Sequence, residues 1–297
     1  MRGIDRRSFL ALGVGAVAWA CSRGGDDGEA EPTGAAGAIS IAATGLQLAV
    51  GDSRQGFAVI RGQKPYVPDE MRVRLTSPDG KALAVDAERQ RITFGLGGED
   101  EGAEVTDIFT FRHDFDRPGI WVIDVTADGK SSKAAFQLVG KDQDGSPLIG
   151  EEALATQSPT VSDARGVDPI CTRSPACSMH DMTIAEALAE SKPVVIVFGT
   201  PRFCTSRTCG PVVDIVESAK EKFSDEASFV HVEVWRNDED AINKPDGQAP
   251  AFAEWKLGTE PWTYFIDEEG IVRDRWIGAI GVNEVETRVD ELLGTGP

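Results

Sequence analysis

Short apolar runs recur throughout the first half of the chain. Between Ala38 and Val139 they read "ISIAA", "LQLAV", "GFAVIRG", "MRVRLTS", "ALAVDA", "RITFGL", "DIFTFRH", "GIWVIDVTA" and "KAAFQLVG". Within them Trp121, Ile123 and Val125 alternate with Val122, Asp124 and Thr126, and Met71, Val73 and Leu75 alternate with Arg72, Arg74 and Thr76. Period-two alternation marks strands with one buried face. Ser77-Pro-Asp-Gly80, Arg117-Pro-Gly119 and Ala127-Asp-Gly129 supply turns between them. About seven to nine short strands in roughly a hundred residues predict an all-β sandwich over 38–140. His113, Asp114 and Asp116 read as a solvated loop between two of these strands rather than a metal cluster.

The pattern then changes twice. Residues 141–169 are polar and rich in Gly, Ser, Pro and acidic side chains, which predicts a linker with at most a helical turn at Glu151 to Ala155. From Ile170 onward, strand and helix signals alternate. Thr183-Ile-Ala-Glu186 is a capping box opening "TIAEALAESK", and Pro193 ends that helix before the buried run "VVIVF". A cysteine loop, a helix from about Val212 to Phe223, the run "ASFVHVEVW", the short helix "APAFAEWKL", two further strands and the closing helix "NEVETRVDELL" follow. The expected architecture of 170–297 is an α/β layer structure on a mixed sheet.

The N-terminus reads as an address rather than a fold. A charged start is followed by an apolar run from Phe9 to Ala20, too short to span a bilayer comfortably, and then by Cys21. Arg6-Arg7 with Ser8, Phe9 and Leu10 resembles a twin-arginine export signal, and Val17 to Cys21 resembles a lipoprotein signal in which Cys21 is lipidated. Residues 1–21 are therefore expected to be a leader, and 22–37, nearly devoid of large apolar residues, a flexible tether to the membrane. Both features put the mature protein outside the cytoplasm, on a membrane. A formal net charge of −19 argues against a grip on nucleic acid, which needs clustered Lys and Arg. With Cys21 set aside, Cys171, Cys177, Cys204 and Cys209 remain, all in the second half. Thiols outside the cytoplasm tend to be paired, so stapling or redox chemistry belongs there.

Cys204 and Cys209 lie in "FGTPRFCTSRTCGP". On one regular helix, residues five apart are separated by about 7.5 Å of rise and point about 140° apart. A disulfide needs Cα atoms within roughly 7 Å. Pairing therefore requires the helix to start late. Pro211, favoured at the first helical position, places that start at about Gly210 or Pro211. Both sulfurs then lie near the positive end of the helix, where a thiolate is stabilised, with Arg202 and Arg207 as additional cations.

The second half resembles thioredoxin over roughly Met182 to Leu293. The residues that carry the likeness are a strand ending at Phe198 before a dithiol at a helix start, the stretch "APAFAEWKLGTEPWTYFIDEEG", and a final strand with Gly278 before an amphipathic helix. The resemblance implies a thioredoxin-like fold, a cis bond between Glu260 and Pro261 with the proline facing the dithiol, and disulfide exchange with protein partners. It also implies that Cys204 is the nucleophile and Cys209 the resolver, whereas the helix start favours Cys209. Two positions depart from the family: Phe203 stands where a Trp is customary, and Val197 replaces the buried acid that helps to move protons. In the first half, "FRHDFDRPGIWVIDVTADGKSSKAAFQLV" resembles the last strands of immunoglobulin-like modules in architecture alone.

Other readings accompany this one. Cys204 and Cys209 also suit a static staple in a non-catalytic binding module. Cys171 and Cys177, in "DPICTRSPACSMHDM", are expected to form a small loop disulfide. The exchange reading needs no cofactor. Cys177, Met179, His180 and Met182 crowd soft ligands into six residues, a set suited to copper, and with Cys204 and Cys209 joined to them the domain would resemble the thioredoxin-fold copper chaperones of oxidase assembly. His231, mid-strand, reads as a partly buried structural histidine.

Overall fold

The computed structural model describes residues 37–45, 47–62, 64–94, 104–204, 206–236, 242, 244 and 246–296. The leader, Cys21 and nearly all of the tether fall outside these. Among the described residues no helix is long and apolar enough to cross a membrane. The molecule is mostly β, with several sheets and few helices.

The strands of the first half are β1 (Ile39–Ala43), β2 (Gln47–Ala49), β3 (Gly51–Arg61), β4 (Lys64–Pro65), β5 (Met71–Thr76), β6 (Ala82–Val85), β7 (Glu88–Phe94), β8 (Glu104–Phe115), β9 (Gly119–Ala127) and β10 (Lys130–Val139). One sheet runs β1-β3-β8-β7 with β4 added at β3, and a second runs β2-β10-β9-β5-β6. Their apolar faces meet. Phe115 of β8 lies edge-on to Trp121 of β9 and Phe136 of β10, at 5.1 and 5.6 Å between ring centres. Trp121, Ile123 and Val125 are buried as their alternation predicts. Burying such side chains contributes about 1.5–3 kcal/mol each. His113 and Asp114 lie within β8 rather than in a loop, and the His113 ring packs on Phe115 and Trp121.

The second half comprises α1 (Ile184–Ala189), β11 (Val194–Phe198), α2 (Cys209–Phe223), β12 (Ser228–Val232), α3 (Pro250–Glu254), β13 (Trp262–Ile266), β14 (Val272–Ile277) and α4 (Val282–Leu292). Its mixed sheet runs β12-β11-β13-β14, with β11 parallel to β12 and the other pairs antiparallel. Every residue of β11 is buried. A strand covered on both faces needs such a run: Val194, Ile196 and Phe198 join Ile184 of α1 and Phe252 of α3, while Val195 and Val197 join Val212 and Val216 of α2 and Val285 of α4.

The segment 141–169 is laid against this sheet rather than loose. Gly150 N–H donates to Val272 O at 2.8 Å and Val272 N–H to Glu151 O at 2.9 Å. The helical turn expected at Glu151 to Ala155 is replaced by an extended bridge between Glu152 and Ile271.

Residues 37–297 form one compact unit. The outer face of the first sheet supplies Ile92 and Ile108 to the core built on α2 and α4. Arg54 of β3, buried, donates to Glu284 of α4 at 2.8 Å and to Ala279 O at 2.9 Å. Arg112 of β8 reaches Asp274 of β14 at 2.6 Å. Gly278 closes the seam: its φ is +79°, and a Cβ there would lie 2.1 Å from the Thr44 carbonyl oxygen.

Candidate functional site

The loop after β11 carries the dithiol. Cys204 and Cys209 are joined as a disulfide with Cα atoms 6.0 Å apart. Helix α2 begins at Cys209 after Thr208, one or two residues earlier than Pro211 suggests. Pro211 is accommodated in the first turn, where its missing N–H has no helical partner to lose. The bridge forms because Cys204 lies off the helix, in the turn that precedes it.

The two sulfurs differ in surroundings. Cys209 is completely buried, whereas Cys204 is partly exposed. The Cys209 N–H, one of the unpaired donors at the helix start, points at Cys204 Sγ from 3.3 Å, and the Ser206 hydroxyl lies 3.2 Å from the same sulfur. Both contacts favour a thiolate at Cys204 in the reduced form. Arg202 and Arg207 are exposed, with the Arg202 guanidinium over the Phe203 ring at 5.2 Å.

A carboxyl group stands behind the pair. The Glu260–Pro261 bond is cis, and Glu260 Oε2 accepts the Thr200 N–H at 3.1 Å and lies 3.6 Å from Cys209 Sγ. Burial pushes the Glu260 carboxyl up to about 7, against the Thr200 hydrogen bond and aided by the negative charge of Glu233. Gly199 fits between these groups: a Cβ there would lie 3.5 Å from Cys209 Cβ and 3.6 Å from Pro261 Cβ.

A second cluster lies on the other side of the β11 end. The Sγ atoms of Cys171 and Cys177 are 3.7 Å apart, so both are free thiols and the expected loop disulfide is not formed. Cys177 Sγ lies 3.3 Å from His180 Nε2 and 3.3 Å from His231 Nδ1; Cys171 Sγ lies 3.7 Å from His231 Nδ1, and the two imidazoles approach to 3.2 Å. All four residues are buried. His231 Nε2 faces Gly199 O at 2.9 Å. A carbonyl only accepts, so Nε2 carries a proton and Nδ1 is the ring nitrogen turned to the sulfurs. Against burial, hydrogen bonding with Cys171 and the nearby charge of Glu233 hold His231 above its ordinary pKa.

The cluster is assembled by its neighbours. Arg173, between the two cysteines, pairs with Asp214 of α2 at 2.6 Å, and Ser178 N–H donates to Glu217 at 2.9 Å. The Cys171 thiol is held below its ordinary pKa by hydrogen bonding with Cys177, against burial, and by both imidazoles. Cys177 is pushed up by that same bond and by burial. Burial lowers His180.

Of the four soft ligands expected together, only Cys177 and His180 are brought into the cluster that forms. Met179 is buried in the core beside α2, and Met182 packs against the core on the other face of the sheet. Their places are taken by Cys171, assigned to a disulfide, and His231, read as structural. The chain has three histidines, and the meeting of two of them was the available signal. Glu260 is a further member of the site that nothing in the sequence signals; its contacts with Thr200 and Cys209 arise only in the fold.

No protein-family model matches this chain, and no curated protein does. Among solved structures, a thioredoxin-like protein in its oxidized form is similar over 36% of this chain and 80% of its own, at 20% identity and a TM-score of 0.29. The M1 domain of titin is similar over 34% and 94%, at 10% identity and 0.21. A DUF4785-family protein from Legionella pneumophila is similar over 33% and 27%, at 12% identity and 0.21. The nearby Cys204 and Cys209 are compatible with a redox or disulfide function.

Proposed function

We propose that this chain is an exported, lipid-anchored thiol-disulfide oxidoreductase. In this reading a thioredoxin-like second half exchanges disulfides with protein partners outside the cytoplasm through Cys204 and Cys209, and an immunoglobulin-like sandwich is fused before it. Cys21 is the anchor. The observation that carries the proposal is the asymmetry of the pair: a partly exposed Cys204 bonded to a buried Cys209 that sits beside the Glu260 carboxyl.

In this reading the asymmetry orders the steps. A partner thiolate attacks Cys204 Sγ, a partner–Cys204 bond forms, and the Cys204–Cys209 bond breaks with its electron pair on Cys209. The Glu260 carboxylic acid then gives that thiolate a proton. A second partner thiolate attacks the partner sulfur of the mixed disulfide and releases Cys204 as thiolate, so the partner leaves oxidised by two electrons and the pair is reduced. In the opposite direction the Cys204 thiolate attacks a partner disulfide. Cys209, deprotonated by the Glu260 carboxylate, then attacks Cys204 Sγ and releases the reduced partner.

The test is trapping. Full-length Cys209→Ser accumulates mixed disulfides with envelope proteins, and Cys204→Ser accumulates none. A reduction potential below about −300 mV together with no mixed disulfide from either variant would instead fit a binding module with a structural staple.

A further inference from the structure

The four side chains behind the β11 end have the geometry of a closed metal site. Tetrahedral bonds of about 2.3 Å to sulfur and about 2.0 Å to nitrogen put two sulfurs about 3.8 Å apart, a sulfur and a nitrogen about 3.5 Å apart, and two nitrogens about 3.3 Å apart. The observed separations are 3.7 Å between the sulfurs, 3.3, 3.3 and 3.7 Å between sulfur and nitrogen, and 3.2 Å between the nitrogens. A square-planar set has two long diagonals of more than about 4 Å. Five of the six separations are short here, and a square allows only four. The remaining pair, Cys171 and His180, also lies within 4.8 Å. Pairwise hydrogen bonding does not by itself make four donor atoms from one loop and a strand converge on one point.

We propose that Cys171, Cys177, His180 and His231 form a structural Zn²⁺ site, distinct from the Cys204–Cys209 pair. Two thiolates and two neutral imidazoles around a divalent cation sum to zero charge, which suits a centre in which every ligand is buried. Tetrahedral S₂N₂ coordination with no open position is characteristic of structural zinc rather than of catalysis. One of the two imidazoles has the outer hydrogen bond such a ligand needs, whereas His180 Nδ1, also buried, has no partner among the described residues. His231 donates its other ring N–H to Gly199 O, fixing the tautomer that leaves Nδ1 free to bind. Zinc there would lock the loop of residues 171–180 to β12 and, through Gly199, brace the strand end that presents the dithiol. Binding replaces two thiol protons by the metal and involves no electron transfer, so it proceeds without Cys204 and Cys209.

The experiment uses the full-length protein, reduced, stripped with a chelator and titrated with Co²⁺. One equivalent is expected to bind with the intense visible absorption of tetrahedral thiolate coordination, and one equivalent of Zn²⁺ to abolish it. The spectrum should be lost in Cys171→Ser/Cys177→Ser and retained in Cys204→Ser/Cys209→Ser. His180→Cys, which keeps four ligands, should bind Co²⁺ with a stronger sulfur charge-transfer band, a change that a packing role alone does not produce. The proposal is overturned if wild-type protein shows no tetrahedral spectrum, if binding survives loss of Cys171 and Cys177, if it requires Cys204 and Cys209, or if only Cu⁺ binds.

Discussion

Glu260 gives the buried sulfur of the pair a proton partner, and a pKa of about 7 sets the range in which that partner works. Above about pH 7 it is a carboxylate able to deprotonate Cys209; below, it is an acid able to protonate the departing thiolate. Glu260→Gln should therefore flatten the inflection near pH 7 in the rate of Cys209 resolution and slow that step roughly 10²-fold or more, read by stopped-flow on a preformed mixed disulfide. Stability carries the same signature. The folded pKa lies above the ordinary 4.5, so the folded state holds the proton more tightly than the unfolded one. The contribution is fully present below about pH 4.5 and lost as pH rises through about 7. Urea midpoints of the wild type should accordingly fall over this window by more than those of Glu260→Gln. Cys204 and Cys209 were legible in the chain because thiols just before a helix start carry chemistry on their face, and Pro261 through the resemblance alone. Glu260 was not, because a carboxylate in a polar turn looks solvated until the fold closes it over residues 199–204.

At the level of elements, α2 positions both sulfur clusters. Its first residue is Cys209, and one turn on, Asp214 holds Arg173, which fixes the loop between Cys171 and Cys177. Both partners of this pair are only about a tenth exposed. Asp214→Asn should cost about 1–3 kcal/mol in urea unfolding, between the values typical of exposed and buried pairs. The same variant should weaken Co²⁺ uptake while leaving mixed-disulfide trapping by Cys209→Ser intact. The run "VVIVF" and the helix after the cysteine loop could be read directly from hydrophobic pattern. The start of α2 could not, because Pro211 is compatible with any place in the first turn. The early residues of β3 were also hidden, since Asp52, Ser53, Arg54 and Gln55 look like a loop. Arg54 and Gln55 are buried there only because Glu284 and the Gly45 carbonyl meet them, partners at 230 and 10 residues' distance.

Across the whole molecule, the first sheet is welded to the α/β layer rather than tethered to it. Arg54 reaches α4 with 2% of its surface exposed. Removing one partner of such a pair strands the other, so Arg54→Ala should lower stability by about 3–5 kcal/mol, and a single cooperative unfolding transition should shift as a unit in calorimetry. Two separate transitions in the wild type would contradict that weld. Composition gave no warning of it: residues 141–169 have the make-up of a linker, yet they are anchored to β14 both through backbone groups that any sequence possesses and through Arg275, whose guanidinium donates to the Asp144 carboxylate and the Ser146 hydroxyl.

One consequence concerns how the protein answers its surroundings. The two sulfur pairs occupy opposite sides of Gly199, one open and covalently closed on itself, the other sealed among imidazoles. A reductant therefore acts on the first and a chelator on the second. A thiol count made under reducing conditions alone and one made with chelator added should differ by two sulfhydryls per chain, those of Cys171 and Cys177. Electron supply and free-metal level would thus act on separate sulfurs held in one compact unit.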